Sequence, residues 1–176
     1  MILGLDISTS ITGATILDSA GIMVANLSWD TRNKNKFPTI YDKALFIKNR
    51  LQEIKKENQI ELIFIEQSLQ SFRSGFSSAK TLSTLSRFNG IISWLCFDLF
   101  DIEPTMVAAA TARKTAGVTI KRGDNAKQKV LQFVVDNQPG FLVQYTRNGN
   151  FQPECFDRAD SWVIAKSGFI NCNQKE

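Results

Sequence analysis

The chain contains no histidine. That absence removes a Ser-His-Asp triad, a histidine general base and histidine-ligated zinc together. Catalysis, if there is any, must use carboxylates, lysine, tyrosine, cysteine, serine or a hard metal held by oxygen. Cysteine is scarce as well. Cys96, Cys155 and Cys172 are odd in number, with no Cys-x-x-Cys spacing, so a disulfide framework and a structural zinc site are both disfavoured. A reduced, cytoplasmic setting is the simpler expectation. There is no run of about 18 apolar residues, so no membrane span is expected. The first residues carry an acid at position 6 and no basic stretch ahead of their apolar run, which does not fit a secretory signal. Internal repeats, low-complexity tracts and linkers are also missing, and residues 1–176 are expected to form a single domain.

The 176 residues are enough for one domain with a real core. The net charge of +4 is mild, but its distribution is uneven. Arg113, Lys114, Lys121, Arg122, Lys127 and Lys129 stand close together against one acid, Asp124. A second basic group is Arg32, Lys34 and Lys36. Such clusters suit a phosphate backbone, and they also suit an ordinary solvated face.

Apolar runs bounded by turn residues predict strands over 1–7, 14–17 and 22–27, with a tight turn at 18–21. Residues 29–36 read as a loop. A helix is expected from about Pro38 to Asn58, with Ile40, Ala44, Ile47, Leu51 and Ile54 on one face. Residues 60–65 form a nearly continuous apolar run ending in Glu66, which suits a central strand. The polar stretch 67–77 leads into a long helix, 78–100, whose later half is apolar almost all round. A short strand over 103–108, a helical piece over 111–117 and a helix capped by Asp124 and running to Asn137 follow. Residues 139–156 are long and irregular, and a last helix starts near Asp157. This order predicts an α/β fold with a five-stranded mixed sheet and helices on both faces.

Four acids stand at informative places in that order. Asp6 is the one charge in the first apolar run, Glu66 ends the fourth strand, and Asp157 and Asp160 are three apart on the last helix. Each has an ordinary explanation: Asp6 a turn cap, Glu66 a strand-end acid, Asp157 a helix N-cap and Asp160 a first-turn acid favoured by the dipole. If the last helix crosses the strand ends, the four converge. Like charges then raise one another's pKa, and divalent cations with oxygen-only ligation, Mg²⁺ or Mn²⁺, relieve the repulsion. Two such ions about 3.5–4 Å apart stabilise the attacking and leaving oxygens of a phosphodiester.

Ile2-Leu3-Gly4-Leu5-Asp6 with Thr12-Gly13 resembles the first-strand motif of RuvC-type Holliday junction resolvases. Ile63-Phe64-Ile65-Glu66-Gln67 is similar to their second acidic motif, and Asp157-Arg158-Ala159-Asp160-Ser161 with Val163-Ile164-Ala165 to their closing one. Lys114, and Gly123 with Ala126-Lys127, match the basic segment between. The ordered set spans nearly the whole chain. It departs from the family at Ile7-Ser8, where Pro-Gly is frequent, at Leu69, where an aromatic is expected, and in the length of 139–156. Divergence of this kind is similar to that of phage-encoded members.

The resemblance implies an RNase H-like fold, with three antiparallel strands followed by two parallel ones. It implies a Mg²⁺-dependent homodimeric endonuclease (Mn²⁺ substituting) that resolves four-way junctions or other branched DNA by paired symmetric nicks in recombination and repair. Asp6, Glu66, Asp157 and Asp160 would hold two ions per site, and Lys127 and Lys114 would contact or neutralise the scissile phosphate. Arg113, Lys121 and Arg122 join the expected DNA-binding set. Phe72, Arg73 and Phe76 follow Glu66, and one of these phenylalanines is a candidate to stack on unpaired bases at the branch. Helix 78–100 is the candidate dimer face, since a two-fold dimer matches a two-fold junction. Two other readings stand: an RNase of the YqgF type, and a junction binder whose acids only cap helices. Gly4-x-Asp6-x-Ser8-Thr9-Ser10 also resembles the phosphate hairpin of sugar kinases and actin-like ATPases. Those proteins need two such domains and a second Gly-rich loop, which this sequence lacks.

Overall fold

A computed structural model describes residues 1–67 and 79–174. Strand β1 (Ile2–Asp6) sets both faces of the sheet through its period of two. Leu3 and Leu5 enter one core and Ile2 enters the other, so Gly4 and Asp6 share the face of Ile2. Strand β2 (Ile11–Leu17) returns antiparallel to β1, and β3 (Met23–Asp30) antiparallel to β2. Helix α1 (Ile40–Glu57) crosses over to β4 (Leu62–Glu66), which lies parallel to β1. Helix α2 (Ala79–Phe100) then leads to β5 (Thr105–Val107), parallel to β4. The order β3-β2-β1-β4-β5 is the expected five-stranded mixed sheet.

Helices α1 and α2 cover one face. Ala44, Ile47, Leu51 and Ile54 of α1 and Phe88, Ile92 and Leu95 of α2 pack there with Leu3, Leu5, Ile16, Ile63 and Ile65. The other face carries α3 (Ala109–Ala116), α4 (Ala126–Asn137) and α5 (Pro153–Asn173). Helix α5 lies directly on the strands, with α3 and α4 packed against it. Its residues 158–165 are therefore buried on every side, which is why Ala159, Trp162, Val163, Ile164 and Ala165 follow no single stripe. No helix among the described residues is long and apolar enough to cross a membrane.

Several boundaries differ from the sequence reading; β2, for one, starts at Ile11 rather than at residue 14. Thr39, not Pro38, opens α1, because its hydroxyl accepts the Asp42 amide while Asp42 accepts the Thr39 amide in a capping box. Asn125 rather than Asp124 caps α4, and Asp124 instead accepts the Lys121 amide at 2.8 Å, closing the preceding turn. Strand β3 runs on through Trp29 and Asp30, because Trp29 is buried in the core shared with α1. Helix α5 starts at Pro153, upstream of Asp157, using proline at its first turn where a free amide would have no partner.

Candidate active site

Because β1 and β4 are parallel neighbours with Leu5 opposite Ile65, the next residues, Asp6 and Glu66, emerge side by side at one end of the sheet. The Glu66 carbonyl is held by the Asn89 side-chain amide of α2 at 3.0 Å. The other two acids depend on how closely α5 approaches. A Cβ on Gly13 would lie 2.0 Å from the Asp157 carbonyl oxygen, and one on Gly4 would lie 2.5 Å from the Ala165 amide nitrogen. Neither glycine has a positive φ, so their role is to let helix backbone rest on strand backbone. Asp157 and Asp160 thus sit over Asp6 in the interior of α5, and the N-cap reading of Asp157 is replaced, since Gln152 occupies that position.

A buried polar network fixes the register of α5. The Thr15 and Ser161 hydroxyls are 2.8 Å apart. The Asn26 amide donates to Thr15 Oγ1 at 2.7 Å and to the Arg158 carbonyl at 3.0 Å, and Ser161 Oγ donates to that carbonyl at 2.8 Å. The turn after Asp6 is tied down as firmly. Thr12 Oγ1 donates to the Ser8 carbonyl, Thr31 Oγ1 to those of Thr9 and Ser10, and Lys43 Nζ of α1 to that of Thr9. These bonds fix the Ile7-Ser8 turn. The sequence signal for Thr15 and Asn26 was polarity inside apolar strands; Lys43 carried none.

The four carboxylates feel one another. Burial raises the Asp6 pKa well above the ordinary carboxylate range, and Glu66, Asp160 and Asp157 raise it further, against the pull of Lys127. Glu66 is pushed up to about 7, first by burial and then by Asp160. Burial takes Asp157 to about 6, with Lys127 opposing and Asp160 adding to the rise. Asp160, 6% exposed, is also raised by burial. Its chief counter-charge is Arg113 of α3, whose guanidinium lies 3.6 Å from its carboxylate. Lys127, in the first turn of α4, pulls down the pKa of all four acids.

Among the described residues no group of three or more acids, cysteines or histidines is drawn together tightly enough to clasp an ion as it stands. The donor set nevertheless fits a hard divalent cation. It is oxygen-only, and Arg113 and Lys127 set two positive charges against four carboxylates.

The expected DNA-contacting residues separate. Lys114, Lys121, Arg122 and Lys127 are exposed. Arg113 is engaged with Asp160. Phe72, Arg73 and Phe76 lie outside the described residues. In the second basic group, Arg32 pairs with Asp30 at 2.6 Å and Glu154 at 2.7 Å, and Lys36 lies over the Phe37 and Phe46 rings.

No protein-family model matches the sequence, and no curated protein matches it. Solved structures match the fold. Thermus thermophilus RuvC in complex with a Holliday junction substrate superposes with a TM-score of 0.67 at 11% identity, over 98% of this chain and 94% of that one. A second T. thermophilus RuvC structure gives 0.64 at 13% identity over 99% and 96%. The yeast mitochondrial Holliday junction resolvase gives 0.63 at 14% identity over 98% of this chain and 79% of the other. The architecture is thus the RNase H-like one of these proteins.

Proposed function

We propose that this protein is a Mg²⁺-dependent endonuclease that resolves four-way junctions, or related branched DNA, by paired symmetric nicks. The observation that carries the reading is the convergence of Asp6, Glu66, Asp157 and Asp160 at the ends of β1 and β4, electrostatically coupled, in the fold of a RuvC solved with its junction substrate. Asp6 interacts with all three other acids, so in this reading it is the central ligand. Two bound divalent ions would activate a water and stabilise charge on the attacking and leaving oxygens. Before such ions bind, Glu66, pushed up to about 7, is partly protonated near neutral pH and would release its proton on binding. Lys127 offsets negative charge at the site, and this favours the phosphorane-like state over the ground state. Lys114, Lys121 and Arg122 supply exposed charge for the DNA backbone.

The same reading makes the protein a homodimer acting in the cytoplasm. Support for the dimer comes from α2, where Trp94 is 59% and Phe97 49% exposed on one outer stripe with Gly90 between turns. A panel of four-way, three-way, flap and linear DNAs and structured RNA, each with Mg²⁺ and with chelator, tests the function. Paired nicks in junction DNA, lost with chelator and in Asp160→Asn, are expected. Preferential digestion of RNA would replace the reading with a YqgF-type RNase. Metal-independent binding without cleavage would replace it with a junction-binding protein.

A further inference from the structure

The connection between α4 and α5 is built more firmly than a connection requires. Residues 138–152 contain one charged side chain, Arg147, and no acid. Tyr145 and Phe151 form an antiparallel bridge, and their rings stack with centroids 5.4 Å apart. The Thr146 amide donates to the Asn150 carbonyl at 2.7 Å and the Gln152 amide to the Gln144 carbonyl at 2.9 Å, closing a hairpin whose tip is Arg147-Asn148-Gly149. Gly149, at φ 76°, makes the reversal that a side-chain-bearing residue would resist.

The base of this hairpin is fixed to the helix that carries the acids. Phe151 meets Phe156 edge-on at 6.2 Å, and Phe156 is the residue before Asp157. Arg158, the residue after Asp157 and only 7% exposed, donates to the Leu142 carbonyl at 2.6 Å and lies 5.2 Å over the Phe141 ring. The hairpin is therefore referenced to Asp157 from both sides, while Tyr145 is 59% exposed and Arg147, Asn148 and Asn150 face solvent. A rigid arm with an arginine and asparagines at its tip, and no acid to repel phosphate, matches the chemistry that reads a minor groove.

We infer that the 145–151 hairpin is a duplex-gripping arm that places Arg147 in the minor groove of a DNA arm beside the scissile phosphate. This rests on the nuclease reading above and adds a specificity element to it. The arm sets which phosphate reaches Asp157, because any tilt of the duplex against the hairpin is transmitted through Phe156 and Arg158 to the acids on α5.

The test is binding of a fluorescent four-way junction by the full chain in chelator, where no cleavage occurs, across a salt series. Arg147→Ala is expected to weaken binding about tenfold and to lower the salt slope by about one. Arg147→Lys keeps the slope. Lys56→Ala, at the far end of α1, leaves both unchanged. A minor-groove ligand displaces the wild type more readily than Arg147→Ala. Equal affinity and slope for Arg147→Ala and wild type would overturn the inference, as would equal displacement of both by the groove ligand. Because wild-type cleavage is measured separately, a protein that cuts junctions but is indifferent to Arg147→Ala refutes the arm alone. One that neither binds nor cuts refutes the arm together with the nuclease reading.

Discussion

Gly13→Ala separates the two contributions of α5, to stability and to the site. The added Cβ would lie 2.0 Å from the Asp157 carbonyl oxygen, 2.6 Å from its carbonyl carbon and 3.1 Å from the Ser161 Cβ. Ordinary contact begins near 3.4 Å, and the obstacle is backbone in a buried helix, so rotamer changes cannot relieve it. Strand β2 and α5 must part by on the order of 1 Å. Overpacking of this kind costs about 1–3 kcal/mol, and a backbone clash belongs at the upper end, about 3 kcal/mol. A misplacement of about 1 Å at the reacting groups lowers rate by roughly a hundredfold. Urea denaturation should show a lower midpoint with an unchanged slope. Single-turnover junction cleavage, at a urea-free temperature where the variant is folded, should fall by roughly two orders of magnitude. Gly4→Ala strikes α5 at the Ala165 amide (2.5 Å) and at the Ser161 carbonyl (2.7 Å), next to Asp160, and should lower both midpoint and rate. A Gly13→Ala protein with wild-type midpoint and rate would refute the claim that helix-on-strand backbone contact positions Asp157.

Stability without divalent metal should fall as pH rises. The folded-state pKa values of Glu66 and Asp157 are raised, so their contribution is present in full below about pH 4 and is lost as pH passes through about 6 to 7. Allowing for the partial exposure of Asp157, the loss is on the order of 3 kcal/mol; thermal melts from about pH 4.5 to about pH 8 should show it, and added Mg²⁺ should flatten the decline. A melting temperature that is level or rising over that range would contradict the coupled-acid picture. Asp6→Asn removes a charge that burial and three acids disfavour, so calorimetry at pH 7.5 without metal should show a higher melting temperature than wild type, while cleavage is abolished. Trp94→Arg places charge on the proposed α2 interface and should convert a dimer into a monomer in sedimentation equilibrium, with single-strand nicks replacing paired ones.

Several features were readable before any coordinates. Asp6 and Glu66 end apolar strands, and short strands separated by one crossover helix become parallel neighbours, so side-by-side acids follow from connectivity alone. The helix face of α1 followed from apolar spacing, and the five-stranded mixed sheet from the sequence of elements. Ends of helices were less legible, because several polar side chains compete for the same free amides. Thr39 and Asn125 won over Pro38 and Asp124 through hydrogen bonds that depend on local backbone direction.

By itself, then, the sequence determined the chemistry available: no histidine, four acids at strand ends and on the last helix, and lysines between them. Tertiary structure alone decided that Asp157 and Asp160 lie within α5 close to Asp6, rather than at a cap and in a first turn. That depended on α5 starting at Pro153 and on Gly4 and Gly13 admitting its backbone onto the sheet. It also decided that Arg113 faces Asp160 and that Arg158 ties the 139–152 segment to the acid helix. Such contacts join residues far apart in the chain. Their existence depends on inter-element distances of a few ångströms, which no local pattern encodes.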